Sequence, residues 1–162
     1  MRKTTLMMLL VVVSAITTTL AVSKELPNEV DLQATYCVAI VKDEITLFSD
    51  SIPEQLAYER KNFPLKKHDI RSDEAINEMI DEAKFKFHRL QAYLVPRIQY
   101  LDTLSLQAAQ SRGEEDVARR KLEVISCSNS CLNDSSCLRK CIDEKETSKR
   151  MLKCNDLAFL PY

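Results

Sequence analysis

The cysteines near the C terminus are the feature that most restricts how this chain can fold. Cys127 and Cys131 are four residues apart, and Cys137 and Cys141 repeat that spacing. Residues four apart on a helix lie on one face, so each pair would present two sulfurs on the same side. Residues 133–136, Asn-Asp-Ser-Ser, separate the pairs and favour a turn. The pattern predicts a helical hairpin in which inner cysteines bond to each other and outer cysteines to each other: Cys131–Cys137 and Cys127–Cys141.

The two remaining cysteines, Cys37 and Cys154, would then bond to each other. A bond within one hairpin pair is disfavoured, because cysteines one helical turn apart would need a strained dihedral. The alternative is a zinc site made of the four hairpin thiolates, since structural zinc ligands often lie two to four residues apart. The choice depends on the compartment, because disulfides persist in oxidising spaces.

The N-terminal segment has the pattern of a secretory signal peptide. Arg2 and Lys3 precede an apolar run at residues 6–15, and small residues follow at 17–23. We therefore interpret residues 1–23 as a signal peptide and residues 24–162 as one helical, disulfide-stapled domain. Export to the periplasm or the extracellular space favours disulfides over zinc. An uncleaved anchor is the alternative, although the apolar run is short for a membrane span.

Glycine is almost missing from the chain, and Gly113 is its one example. Hairpins, phosphate-binding loops and strained catalytic turns use glycine for backbone conformations that other residues avoid. The composition therefore predicts an all-α fold. Without residues 1–23, the chain carries 21 basic and 24 acidic side chains, a net charge of −3. This mild charge argues against nucleic acid as a partner.

Hydrophobic periodicity predicts an irregular bundle of about four helices with a long central helix. The predicted helices cover residues 29–49, 73–111, 114–131 and 135–153. A bend is expected at Pro96, and Gly113 is expected to end the long helix as a left-handed cap. Residues 36–41 are β-branched enough to form a strand instead. The apolar tail at 157–162 would cover part of the core.

Two surfaces predicted from the sequence have alternative interpretations. The apolar stripe of the long helix is either the core-facing side of a bundle helix or the seam of a coiled-coil homodimer. The segment at residues 60–71 is either a docking patch or a solvated connection. Its basic side chains are Arg60, Lys61, Lys66, Lys67, His68 and Arg71.

The sequence contains no pattern that indicates catalysis or a cofactor. His68 and His88 are the only histidines, and no phosphate-binding loop, zinc-protease motif or calcium loop occurs. Asn133-Asp134-Ser135 is a glycosylation sequon at Asn133. We therefore expect a protein that is not an enzyme, needs no cofactor or metal, and does not stay inserted in a membrane after signal removal.

Three functions remain for an exported helical chain of this kind. The first hypothesis is a protein–protein interaction module with an unknown protein partner. The second is a carrier of a small apolar ligand, which would require an apolar cavity of several hundred Å³. The third is a hydrolase, which would require a cleft containing a perturbed carboxylate or histidine pair.

Overall fold

Helices account for the regular structure of the part of the chain described by the computed structural model, residues 24–53, 73–132 and 134–161. The predicted signal peptide, the basic segment at 60–71 and the sequon residue Asn133 lie outside these residues. The described helices are α1 (Glu29–Thr46), α2 (Asp73–Ile98), α3 (Thr103–Cys131), α4 (Ser135–Asp143) and α5 (Glu146–Leu152). A π-helical turn, Leu47–Ser51, continues α1. The all-α bundle is confirmed.

The start of α1 follows from its first residues. The side chain of Asn28 accepts a hydrogen bond from the backbone N–H of Asp31, and the Asp31 carboxylate accepts one from the N–H of Asn28. This reciprocal capping box satisfies two donors that a helix start leaves unpaired. Residues 36–41 lie inside α1, so the alternative of a strand there is wrong.

The predicted long helix at 73–111 is wrong, because the chain turns at residues 99–102. Pro96 lies in the last turn of α2, and Asp102 caps α3 by accepting a hydrogen bond from the N–H of Ser105. Glu25 occupies this corner: its N–H donates to the Tyr100 carbonyl and its carbonyl accepts from Asp102 N–H, each at 2.8 Å. The corner thus holds the segment that precedes α1.

Gly113 does not end a helix, contrary to the prediction, and instead lies buried in the middle of α3. A Cβ at this position would lie 2.7 Å from the carbonyl oxygen of Tyr36 and 2.8 Å from the Cβ of Ala39. Both atoms belong to α1. The glycine therefore permits close contact of two helix backbones, a role that is independent of its ability to adopt unusual backbone angles.

The last predicted helix, 135–153, is divided into α4 and α5 by residues 144–145. Asp134 caps α4 through hydrogen bonds from the N–H groups of Ser136 and Cys137. The hydroxyl of Ser148 in α5 donates to the carbonyl of Ile142 in α4 at 2.7 Å. This bond bends the chain back on itself and satisfies a carbonyl at the end of α4.

The core forms around α1, which packs against both α2 and α3. Buried side chains of α1, α2 and the C-terminal tail make up one cluster. Its large buried members include Ile40, Val41, Leu90, Leu157 and Leu160. The tail therefore covers part of the core, as its apolar composition predicts.

Three disulfides hold these elements together. Cys127–Cys141 and Cys131–Cys137 staple the end of α3 to α4, which confirms the stapled hairpin. Cys37–Cys154 joins α1 to the segment after α5 and closes a loop of 117 residues. All six cysteines lie within the described ranges, and none is a free thiol.

Candidate functional site

The first turn of α1 contains a buried aspartate that fixes the start of this helix. Asp31 is 0% exposed. Arg97, at the end of α2, donates to both carboxylate oxygens at 2.7 and 3.0 Å, and the Tyr93 hydroxyl donates at 2.8 Å. The same carboxylate completes the capping box with Asn28. Such a buried carboxylate is tolerated because its oxygens are paired with donors and a cation.

A second buried aspartate repeats this arrangement on the other side of α1. Asp116 in α3 is 2% exposed. Arg150 in α5 donates to its two oxygens at 2.8 and 2.7 Å, and the Tyr36 hydroxyl donates at 2.9 Å. The group therefore connects α1, α3 and α5. Each of the two clusters contains one aspartate, one tyrosine and one arginine.

These contacts shift the pKa values of the aspartate and the tyrosine in each cluster. Hydrogen bonds from Arg97 lower the pKa of Asp31, and those from Arg150 lower the pKa of Asp116, against the opposing effect of burial. Burial, and the hydrogen bond to Asp116, raise the pKa of Tyr36 well above its ordinary value. Both carboxylates therefore stay charged and both tyrosines stay protonated near neutral pH.

Two open clefts flank the first turns of α1. The first cleft has a volume of about 390 Å³ and lies between α1 and the C-terminal segment. Its apolar lining comes from Val30, Leu152, Ala158 and Phe159. The second cleft, of about 460 Å³, lies between α1, α3 and α5. Both clefts are within the size range of small-molecule sites.

The two clefts meet at three side chains that line both of them: Glu29, Gln33 and Lys153. The second cleft adds two arginines, Arg112 and Arg150. Gln33 lies close to the Cys37–Cys154 bond, with its amide nitrogen 3.2 Å from the Cys37 sulfur. The buried Cys37–Cys154 disulfide thus lies next to Gln33, one of the side chains that the two clefts share.

The outer side of α3 is exposed and mostly polar, and a few exposed apolar side chains lie among its polar ones. Leu122 is 68% exposed, Ile125 is 57% exposed and Leu132, which follows the helix, is 84% exposed. We call the exposed apolar residues of this side the α3 face: Leu104, Ala108, Ala118, Leu122, Ile125 and Leu132. Exposed Ser111 and Glu115 interrupt it between Ala108 and Ala118, so its large side chains are grouped near the C-terminal end of the helix. Lys121, beside this face, is bound to Asp43 of α1 at 2.8 Å.

The residues that the sequence offers for catalysis are not brought together by the described structure. His88 is exposed on α2, where its ring makes an edge contact with Phe87, 6.4 Å between centroids. His68 lies outside the described residues. Within the described ranges, no three His, Cys, Asp or Glu side chains are grouped so that they could hold a metal ion. Over the same ranges, every helix is too short or too polar to traverse a lipid bilayer.

The sequence did not reveal Asp31, Asp116 or the clefts. A signal existed for the two aspartates. Asp31 follows Asn28 by three residues at a helix start, and Asp116 continues the stripe of small and apolar residues through Leu106, Ala109 and Gly113. An acid on a core-facing stripe predicts a buried partner. The identity of that partner, an arginine distant in sequence, cannot be read from periodicity.

Comparisons with protein-family models, with curated proteins and with solved structures found no match to this chain.

Proposed function

We propose that the protein is exported and acts by binding a protein partner through the α3 face. Three disulfides suit an oxidising environment outside the cytosol. The observation that carries the proposal is the exposure of three large apolar side chains, Leu122, Ile125 and Leu132, near the C-terminal end of α3. Large apolar side chains that are exposed close to one another are typical of interaction sites on soluble proteins.

The α3 face is well placed to meet a second protein. A helix of 29 residues is about 44 Å long, which is the length of a standard interface rather than of a small-molecule pocket. Two disulfides hold the C-terminal end of α3 against α4, so the end that carries Ile125 and Leu132 is rigid before binding. Such preorganisation lowers the entropy cost of association.

Charge along the same helix specifies the chemistry of the partner. Exposed Glu114 and Glu115 precede Ala118 along the helix, and exposed Arg119 follows it. A partner helix with an apolar stripe would fit this face when its basic residues meet the glutamates and its acidic residues meet Arg119. We therefore propose an amphipathic helix of another protein as the partner segment.

Site-specific photo-crosslinking in the exporting host tests this proposal. A photoreactive phenylalanine analogue at position 122 should give a discrete crosslinked protein that mass spectrometry can identify. The matched control carries the same analogue at position 78, an exposed position on α2. The identified partner, once purified, should bind the parent chain and lose at least tenfold in affinity for Ile125→Glu, because a charge would be desolvated at the interface.

Three results would overturn the proposal. Crosslinking at position 122 that does not exceed crosslinking at position 78 would remove the α3 face as a binding site. A crosslinked partner whose affinity is unchanged by Ile125→Glu would place binding elsewhere. A product with twice the mass of the chain, together with self-association of the purified protein, would show that the face packs against a second copy.

A further inference from the structure

The clefts beside α1 form a second candidate binding surface, which shares Ala108 with the α3 face. They share Glu29, Gln33 and Lys153, so they form one continuous groove that curves around the first turns of α1. We call it the α1 groove. One arm has four apolar side chains, from Val30, Leu152, Ala158 and Phe159, with Asp156 beside them, and the other arm has most of the positive charge. The groove is therefore polarised along its length.

The positive arm contains two cations that have no ionic partner among the described residues. Arg150 is already bound by the Asp116 carboxylate. Arg112 and Lys153, which line the same arm, form no ion pair within the described part of the chain. Both are exposed, so they are hydrated and available to an anion that enters the groove. Glu29 is the one acid that lines this arm.

The apolar arm can hold a chain of methylene groups. Val30 and Phe159 are half-buried, and Leu152 is 57% exposed although it is a large apolar residue. Covering such a surface is favourable in proportion to the apolar area removed from water. Gln33 lies where the two arms meet, beside the buried Cys37–Cys154 bond. The walls are thus fixed by a covalent link.

We propose that the α1 groove binds an amphiphile with one carboxylate and an unbranched apolar chain. Arg112 and Lys153 bind the carboxylate, because charge-assisted hydrogen bonds to carboxylates are the strongest that these side chains make. The apolar chain passes Gln33 and lies against Val30 and Phe159. Glu29 repels the carboxylate and so weakens binding. This arrangement explains why the groove has both an unpaired cationic end and an uncovered apolar end.

Calorimetric titration with dodecanoate, below the concentration at which it forms micelles, tests the assignment. The parent chain should bind dodecanoate, bind acetate far more weakly because acetate has no chain, and bind dodecyltrimethylammonium at least tenfold more weakly because its charge is reversed. Amide shifts in nitrogen–proton spectra should change at residues 29–33 and 152–159.

Variants separate the groove from general charge effects. The double variant Arg112→Ala/Lys153→Ala should weaken dodecanoate binding by roughly tenfold or more. Each substitution removes a charge-assisted hydrogen bond, and the free energy of one such bond is comparable with that of a tenfold change in affinity. The matched control, Lys84→Ala with Arg139→Ala, removes the same two charges from exposed positions outside the groove and should leave affinity unchanged. Glu29→Gln should tighten binding severalfold.

Several results would overturn the inference. They are no heat and no shift changes with dodecanoate, equal affinity for the cationic amphiphile, or equal weakening by the groove and control double variants. Binding of an acidic peptide with no binding of dodecanoate would assign the cationic arm to a peptide instead. Circular dichroism of each variant establishes that a loss of binding is not a loss of folding. None of these results depends on the α3 face.

Discussion

Substituting Gly113 by alanine has two opposing effects on the free energy of unfolding. Alanine is the better helix former by about 1 kcal/mol, so propensity alone predicts a more stable protein. The added Cβ, however, would lie 2.7 Å from the Tyr36 carbonyl oxygen and 2.8 Å from the Ala39 Cβ. Neither atom can rotate away, because one belongs to the backbone of α1 and the other is bonded directly to it.

The packing effect should be the larger one. Forcing extra volume into a close contact costs about 1–3 kcal/mol and more where backbones must separate. Since α1 is also held by the Cys37–Cys154 bond and by Asp116, we expect the upper end of that range. After subtraction of the propensity gain, Gly113→Ala should lower the free energy of unfolding by about 2 kcal/mol. This corresponds to a fall in Tm of about 6–10 °C.

Denaturant unfolding and thermal melts measure the loss. Ala118→Gly, on the exposed side of the same helix, reports the propensity term alone and should cost about 1 kcal/mol. Ala39→Gly should cost less in the Gly113→Ala background than in the parent, because it removes one of the two close contacts. A Gly113→Ala protein that is as stable as the parent would refute close contact of α1 and α3 at this position.

Three further predictions concern the bonds, the acid response and the processing of the chain. Replacing Cys37 and Cys154 by serine should lower the free energy of unfolding by up to about 5 kcal/mol. Replacing Cys131 and Cys137 should cost less, because their bond closes a much shorter loop, and equal losses of stability in thermal melts would contradict this. The contribution of the Asp116 carboxylate to the free energy of unfolding should be present above its ordinary pKa of 3.8 and disappear as the pH falls through its lower folded-state pKa. Asp116→Asn should therefore flatten the dependence of the denaturation midpoint on acidic pH, and an unchanged slope would contradict this. Intact mass analysis of protein exported by its host should show a chain that begins near Lys24 and takes up no alkylating agent under denaturing conditions. A retained leader would favour the uncleaved anchor, and bound zinc would overturn the disulfides.

The sequence predicts most where a residue type has one dominant structural reason. The four hairpin cysteines predict the bonds between α3 and α4, because their spacing places sulfurs on facing sides of two helices. The scarcity of glycine predicts an all-helical fold for a similar reason, since few other residues can form tight strand connections. Local chemistry therefore sufficed for the fold class and for the hairpin.

The sequence predicts least where one residue serves either of two purposes. Gly113 suits a helix end and a helix contact equally well, and only the position of α1 decides between them. Pro96 is compatible with a bent helix. The chain instead turns after α2, where Glu25, distant in sequence, forms backbone hydrogen bonds with Tyr100 and Asp102. The α1 groove joins residues from both ends of the chain, so no local pattern could indicate it.

The bond between Cys37 and Cys154 joins the first cysteine of the chain to the last. In a chain that crosses a membrane with its N terminus leading, Cys37 enters the oxidising space alone, and all four hairpin cysteines arrive before its partner does. Any bond that Cys37 forms in that interval is non-native and must be exchanged by attack of another thiolate. In an exported chain that forms such a bond, maturation is timed by disulfide reshuffling, which takes seconds to hours, rather than by helix formation, which takes about a microsecond.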